Sequence, residues 1–165
     1  MYKIGDTVLY GSEGVCKITQ ITEKCFGDSA IEYYILTPVF NERSTFFVPT
    51  KNETLVSRMK PILTNGEIME LISSTDETDE WVENDIERKE LFKSIISSGE
   101  IKSVISILKS IIHHKEMLDS VGKKLHKADE MVLKESQKIL YEELAMEMEL
   151  SKDEVIDIIC SKIKK

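Results

Sequence analysis

The side chains that could do chemistry in this chain are few and unevenly spread. All three histidines, His113, His114 and His126, fall in one stretch. His113 and His114 are adjacent, so on a helix they point about 100° apart and do not readily share a metal ion. Glu116 nearby suggests a carboxylate–histidine pair, but solvated or groove-facing histidines are the commoner outcome. The cysteines, Cys16, Cys25 and Cys160, form no C-x-x-C pair. That argues against structural zinc and for a reducing, cytoplasmic setting, with Cys25 and Cys160 as packing residues. There is no phosphate-binding loop, dinucleotide fingerprint or G-x-S-x-G. The expectation is a non-enzyme that takes no cofactor, metal or small-molecule substrate.

Charge says more. The 165 residues carry 22 Lys and Arg against 30 Asp and Glu, a net charge of −8. Bulk charge of that sign does not hold nucleic acid, because neutralising phosphates needs a local excess of cations. One such excess exists within residues 102–127, where Lys102, Lys109, Lys115, Lys123, Lys124 and Lys127 face only Glu116 and Asp119. At 100° per residue Lys102, Lys109 and His113 share one side of a helix. Such a stripe either lies against phosphate or merely solvates a helix surface, and charge alone favours the second. The single tryptophan, Trp81, has the opposite setting, among Asp76, Glu77, Asp79, Glu80, Glu83 and Asp85 at a predicted helix start. Acids there suit the positive end of the helix dipole. A tryptophan so placed is most often a core or interdomain plug; its functional reading is a wedge or stacking surface.

These residues hang on two kinds of scaffold. All the prolines and 8 of 11 aromatics precede Gly66, and beyond it come long stretches free of both Gly and Pro. The first part predicts strands near Thr7–Tyr10, Val15–Glu23, Ile31–Thr37, Thr45–Val48 and Leu55–Arg58, with turns at Gly11–Gly14 and Gly27–Ser29. Five short strands in so few residues predict a small barrel or strongly bent sheet. The second part predicts helices. Ile101, Val104, Ile105, Leu108, Ile111 and Ile112 form one apolar stripe. Ser98-Gly99 closes an earlier helix carrying Ile86, Leu91, Phe92, Ile95 and Ile96. A third helix spans about Ala128 to Glu149, and the capping box Ser151-Lys152-Asp153-Glu154 opens a last one. A short helix near Gly66–Ile72 joins the halves. The expected class is α+β with two domains, residues 1–64 and 65–165. No apolar run approaches a membrane span, and the N-terminus has no signal-like apolar stretch, so neither membrane nor export is expected.

Several segments carry a resemblance. Lys3-Ile4-Gly5-Asp6-Thr7-Val8-Leu9-Tyr10-Gly11-Ser12-Glu13-Gly14-Val15-Cys16-Lys17-Ile18 resembles the start of the CarD/CdnL family of bacterial transcription regulators. Tyr33-Tyr34-Ile35-Leu36, Phe47-Val48-Pro49 with Asn52, and Trp81-Val82-Glu83-Asn84-Asp85 with Arg88 continue the likeness. So do Ser98-Gly99-Glu100, Gly122-Lys123-Lys124-Leu125 and Leu140-Tyr141-Glu142-Glu143-Leu144-Ala145. The order and spacing of these motifs span nearly the whole chain. The resemblance implies a Tudor-like five-stranded barrel, shared with transcription-repair coupling factors, that docks on the RNA polymerase β subunit. It implies contact residues there at Lys24, Phe26, Phe46 and Phe47. It further implies a helical domain that touches promoter DNA at the upstream edge of the bubble, with Trp81 as a minor-groove wedge holding the open complex. Arg88, Lys89, Lys102, Lys109, Lys123, Lys124 and Lys127 are the accompanying candidate DNA contacts. DNA binding is expected to be weak without polymerase. The alternative is an adaptor that binds polymerase without touching DNA.

Overall fold

The computed structural model describes residues 1–74 and 81–163. The expected acids Asp76, Glu77, Asp79 and Glu80 lie outside the described residues. The N-terminal part forms β1 (Thr7–Tyr10), β2 (Val15–Phe26), β3 (Ser29–Pro38), β4 (Phe46–Pro49) and β5 (Met59–Pro61). They make one antiparallel sheet in the order β4-β3-β2-β1-β5. The edge strands β4 and β5 do not pair, so the sheet is open where a closed barrel was the expectation. Those edges are four and three residues long and end at Pro49 and Pro61, which have no N–H to extend a ladder. The sheet still bends, because a register shift between Ile18 and Gln20 inserts an extra residue in β2.

Alternation puts Val8, Cys16, Ile18, Tyr34, Leu36, Val48 and Met59 on the buried face. Tyr2 closes its end, its hydroxyl donating to the Met59 carbonyl at 2.6 Å and its ring meeting Tyr34 edge-on. Burial pushes the Cys16 thiol up to about 12, so it stays protonated and inert. The predicted strand over Leu55–Arg58 is instead a single helical turn, α1 (Glu53–Val56), followed by β5. Asn52 caps it by accepting the Leu55 N–H at 3.1 Å. Leu55 and Val56 still pack on the sheet core; over four residues an apolar pair does not distinguish the two periodicities.

The C-terminal part forms α2 (Asn65–Ser74), α3 (Asp85–Ser98), α4 (Ile101–Ser120), α5 (Lys127–Ala145) and α6 (Lys152–Ile163). Three of these starts are capped by a side chain. Thr64 and Glu67 form a reciprocal capping box before α2, as Ser151 and Glu154 do before α6. The Asn84 side chain accepts the Ile86 and Glu87 N–H groups of α3. Helix α4 is the axis of this part, buried all round from Val104 through Ile112. Helix α5 stops at Ala145, a turn earlier than its apolar spacing implied.

Leu9 and Val15 belong to the helical core rather than to the sheet's own. The two parts therefore meet across a packed seam. At its centre Glu142 of α5 is buried, and its Oε2 accepts the Val15 N–H at 2.9 Å. Lys138 stands 3.8 Å away and offsets the charge. The loop between β1 and β2 is built for this approach. A Cβ at Gly14 would lie 1.9 Å from Glu142 Oε2, and one at Gly11 would lie 2.7 Å from the Ser97 carbonyl. Both glycines have positive φ, 82° and 49°, which other residues adopt only with strain.

The next residue, Glu143, turns into the helical core. Its carboxylate is fully buried, and neither oxygen has a hydrogen-bond partner of good geometry. Burial pushes its pKa up to about 7, although the Leu63 backbone N–H draws it downward. The sign follows from linkage. Both folded and unfolded chains hold this proton at low pH, so there the group costs nothing. The cost grows as the unfolded carboxyl ionises and is complete above the folded value of about 7, on the order of 3 kcal/mol. Glu143→Gln should therefore raise the urea midpoint near pH 8 and change it little near pH 4. A difference that is flat across this range would contradict the assignment.

Candidate macromolecular interfaces

Two surfaces assemble the residues singled out from sequence. The first is the outer face of β2, β3 and β4. Register pairs Lys24 with Ile31, Thr22 with Tyr33, and Ile35 with Phe47, so alternation sets Lys24, Phe26, Ile31, Tyr33 and Phe47 on one face. Phe26 is 60% exposed and Phe47 45%. The Lys24 ammonium stands 4.1 Å from the centre of the Phe47 ring, a cation–π contact, and Tyr33 meets the same ring edge-on. Three of the four expected polymerase contacts thus share a surface. The fourth, Phe46, does not join them: it lies on the opposite face, half-buried against Tyr10 and the sheet core. Adjacent strand residues face opposite ways, which separates Phe46 from Phe47.

The second surface surrounds Trp81. Its indole is half-buried, stacked on His114 at 3.8 Å with ring planes 7° apart, and meets Phe92 edge-on. Burial holds His114 below the ordinary imidazole value, so this is a stack on a neutral ring at pH 7. The plug reading of Trp81 thereby describes its packing. Arg88 lies over the indole at 4.6 Å. Its guanidinium donates to both oxygens of Asp129 at 2.9 Å, to Asp85 at 2.7 Å, and to the carbonyls of Val82 and Glu83. Those five bonds use all five of its donors, and the side chain is buried. Asp129, hydrogen-bonded to it, holds the guanidinium charged. Arg88 is thus a structural clamp between α3 and the start of α5, not the DNA contact it was expected to be.

Lys109 is corrected likewise. It is buried, and its Nζ donates to the Ile72 carbonyl at 2.6 Å. The stripe Lys102–Lys109–His113 therefore presents no continuous charge. Lys102 is exposed at the far end of α4, about 28 Å from Val121 at 1.5 Å per residue. Lys123, Lys124 and Lys127 are exposed together in and just beyond the α4–α5 connection, beside exposed His126. Arg88 touches both Trp81 and Asp129, and His126 Nδ1 is 3.7 Å from Asp85, so the clamp holds this basic connection next to the indole. Lys89, the next residue of α3, is exposed about 100° round the helix from Arg88. Sequence reasoning gave Glu142 and Asp129 no role of their own and read Asp85 only as an acid at a helix start and part of a motif. The i,i+3 spacing of Asp85 and Arg88 was the one available signal; the other pairings span 41 and 127 residues.

Among the described residues no helix is long and apolar enough to cross a membrane, and no cluster of three His, Cys, Asp or Glu could hold a metal ion. Residues 2–60 match the family model described as the CarD-like/TRCF RID domain. No curated protein matches the chain.

The clamp makes a prediction of its own. Arg88→Met leaves Asp129 buried and unpaired, and should cost about 3–5 kcal/mol in urea unfolding. Joined to Asp129→Leu it should recover much of that loss. Strict additivity of the two substitutions would show that the pair is not coupled.

Proposed function

Residues 2–60 form a CarD-like RNA polymerase-interacting domain, and from this premise we propose that the whole chain is a transcription regulator. It docks on the polymerase β subunit and stabilises the promoter open complex. The observation that carries the docking half is the outer face of β2–β4, where Lys24 stacks on Phe47 beside exposed Phe26. Such a face exposes aromatic area, in which protein interfaces are enriched. Docking brings the helical part to the upstream edge of the bubble. There Trp81 acts as the wedge, and Lys123, Lys124 and Lys127 hold the phosphates. The Arg88–Asp129 clamp supports this reading by keeping indole and lysines side by side.

The net charge of −8 sets the mechanism. Free protein binds DNA feebly, and docking supplies an effective concentration of about a millimolar for a short tether. A contact made only in the open state and worth about 1.4 kcal/mol lengthens its lifetime roughly tenfold. The adaptor reading draws support from a different observation: Arg88 and Lys109 are engaged inside the fold, and Trp81 is packed against His114 and Phe92.

Open-complex lifetime after competitor challenge separates the two. Phe47→Asp should weaken polymerase binding by about tenfold or more and abolish any lengthening. Lys123→Glu with Lys124→Glu should leave polymerase binding intact and shorten the lifetime, as should Trp81→Ala if its circular dichroism stays native. A lifetime that wild type lengthens and that neither the lysine nor the tryptophan variant alters would favour the adaptor. Free protein gripping promoter fragments at micromolar concentration in physiological salt would overturn the tethered mechanism.

A further inference from the structure

The indole of Trp81 is covered on both faces. His114 lies flat against one at 3.8 Å with the planes 7° apart, which leaves the other to the Arg88 guanidinium, 4.6 Å from the ring centre. Phe92 meets the ring edge-on. The two covers differ in freedom. Arg88 is fixed by hydrogen bonds to Asp129, Asp85 and the carbonyls of Val82 and Glu83. His114 forms no ion pair among the described residues, and the stack is what orients it. Charged groups face its imidazole from each neighbouring element: Glu83 before α3, Arg88 on α3, Asp129 at the start of α5 and His113 on α4 itself. Burial, Arg88 and His113 oppose a positive charge on His114, whereas Glu83 and Asp129 favour one, and burial is the largest influence. Beside the indole an apolar cleft of about 320 Å³ opens, walled by Val82, Leu91, Ile95 and Ile107.

We propose that His114 is a positioning residue for Trp81 and works as a proton-operated latch. Neutral, its ring holds the indole against Arg88. Protonated, it has two N–H donors that each need an acceptor, and a stacked ring face offers none. It turns toward water, and the indole swings into the apolar cleft, which receives it without exposing it. Arg88 cannot follow or retreat, because every donor it has is engaged. The sign follows from linkage. With the stack made, the imidazole binds its proton more weakly than in water, where its ordinary value is about 6.5. The released state therefore binds the proton more tightly, and acidification below about 6.5 shifts the balance toward release. The latch stands on the stack and the cleft. Its control of a promoter contact rests on the reading of Trp81 as the wedge.

Trp81 is the only tryptophan, so its fluorescence reports this site alone. Acrylamide quenching of the full chain should fall about twofold between about pH 8 and pH 5.5, with a midpoint below about 6.5. His114→Phe keeps a flat ring with no proton to gain, and should remove the transition while keeping the quenching seen at pH 8. His113→Gln should retain the transition, and so should Glu143→Gln, the control for a carboxyl that titrates at about 7. Leu91→Phe narrows the cleft and should blunt the change in quenching. Quenching that is flat in wild type, or a transition that survives His114→Phe, overturns the proposal. Quenching that rises with acid overturns the cleft as the indole's destination. Open-complex lifetime, taken relative to polymerase alone at each pH, tests the consequence. The lengthening by wild type should drop by about half or more near pH 5.8, and that by His114→Phe should not. A quenching transition without lengthening at either pH would uphold the latch and sink the wedge reading.

Discussion

One buried carboxylate ties the molecule together. Glu142 accepts the Val15 N–H where β2 begins, and everything about the neighbouring loop accommodates that bond. Gly14 leaves room for the carboxylate, Gly11 lets the turn press on the end of α3, and Leu9 and Val15 enter the helical core beside it. A buried carboxylate without partners is costly; here a backbone donor and Lys138 offset the burial. The sheet and the helices are consequently set at one angle by a polar contact, with apolar packing around it to exclude water. The proposed tethering depends on such stiffness, because a contact made at a distance from the docking face gains from it only where the linkage does not yield.

The cations of the helical part divide into those that hold the fold and those that face outward. Arg88 and Lys109 are spent on Asp129 and on the Ile72 carbonyl. Lys115 pairs with Asp119 along α4. Of the lysines left outside, Lys123, Lys124 and Lys127 collect at the α4–α5 connection, while Lys102 stands apart at the other end of α4. In a strongly acidic chain that clustering matters more than the total, since screening confines each cluster's field to about 10 Å at ordinary ionic strength.

Much of this was legible in the residues. Period-two alternation with glycine and proline punctuation marked four of the five strands, apolar spacing marked the four later helices, and end signals marked two of them; the first helix read only as a short linker. The match of residues 2–60 to a polymerase-interacting domain agrees with what the opening motif implied. What escaped had a common physical cause. Side-chain direction at a single position depends on register, so Phe46 and Phe47 were grouped although they face opposite ways. Whether a helix is covered on one side or all round depends on distant elements, so Lys109 read as solvated although α2 and its neighbours bury it. Ion pairs such as Arg88–Asp129 join residues too far apart in sequence for any local pattern to announce.

The long hairpin of β2 and β3 carries one last implication. Its distal end, Glu23–Phe26 against Ser29–Glu32, is exposed on both faces and packs on no core residue, so strand pairing and the Lys24 contact on Phe47 maintain it. Half of the face proposed for docking, including Lys24 and Phe26, sits on that end. Substitutions there change what the surface recognises while leaving the folding energetics almost untouched. Binding preference can accordingly drift during evolution, following changes in a partner's surface, while the rigid seam and the helices behind it stay as they are.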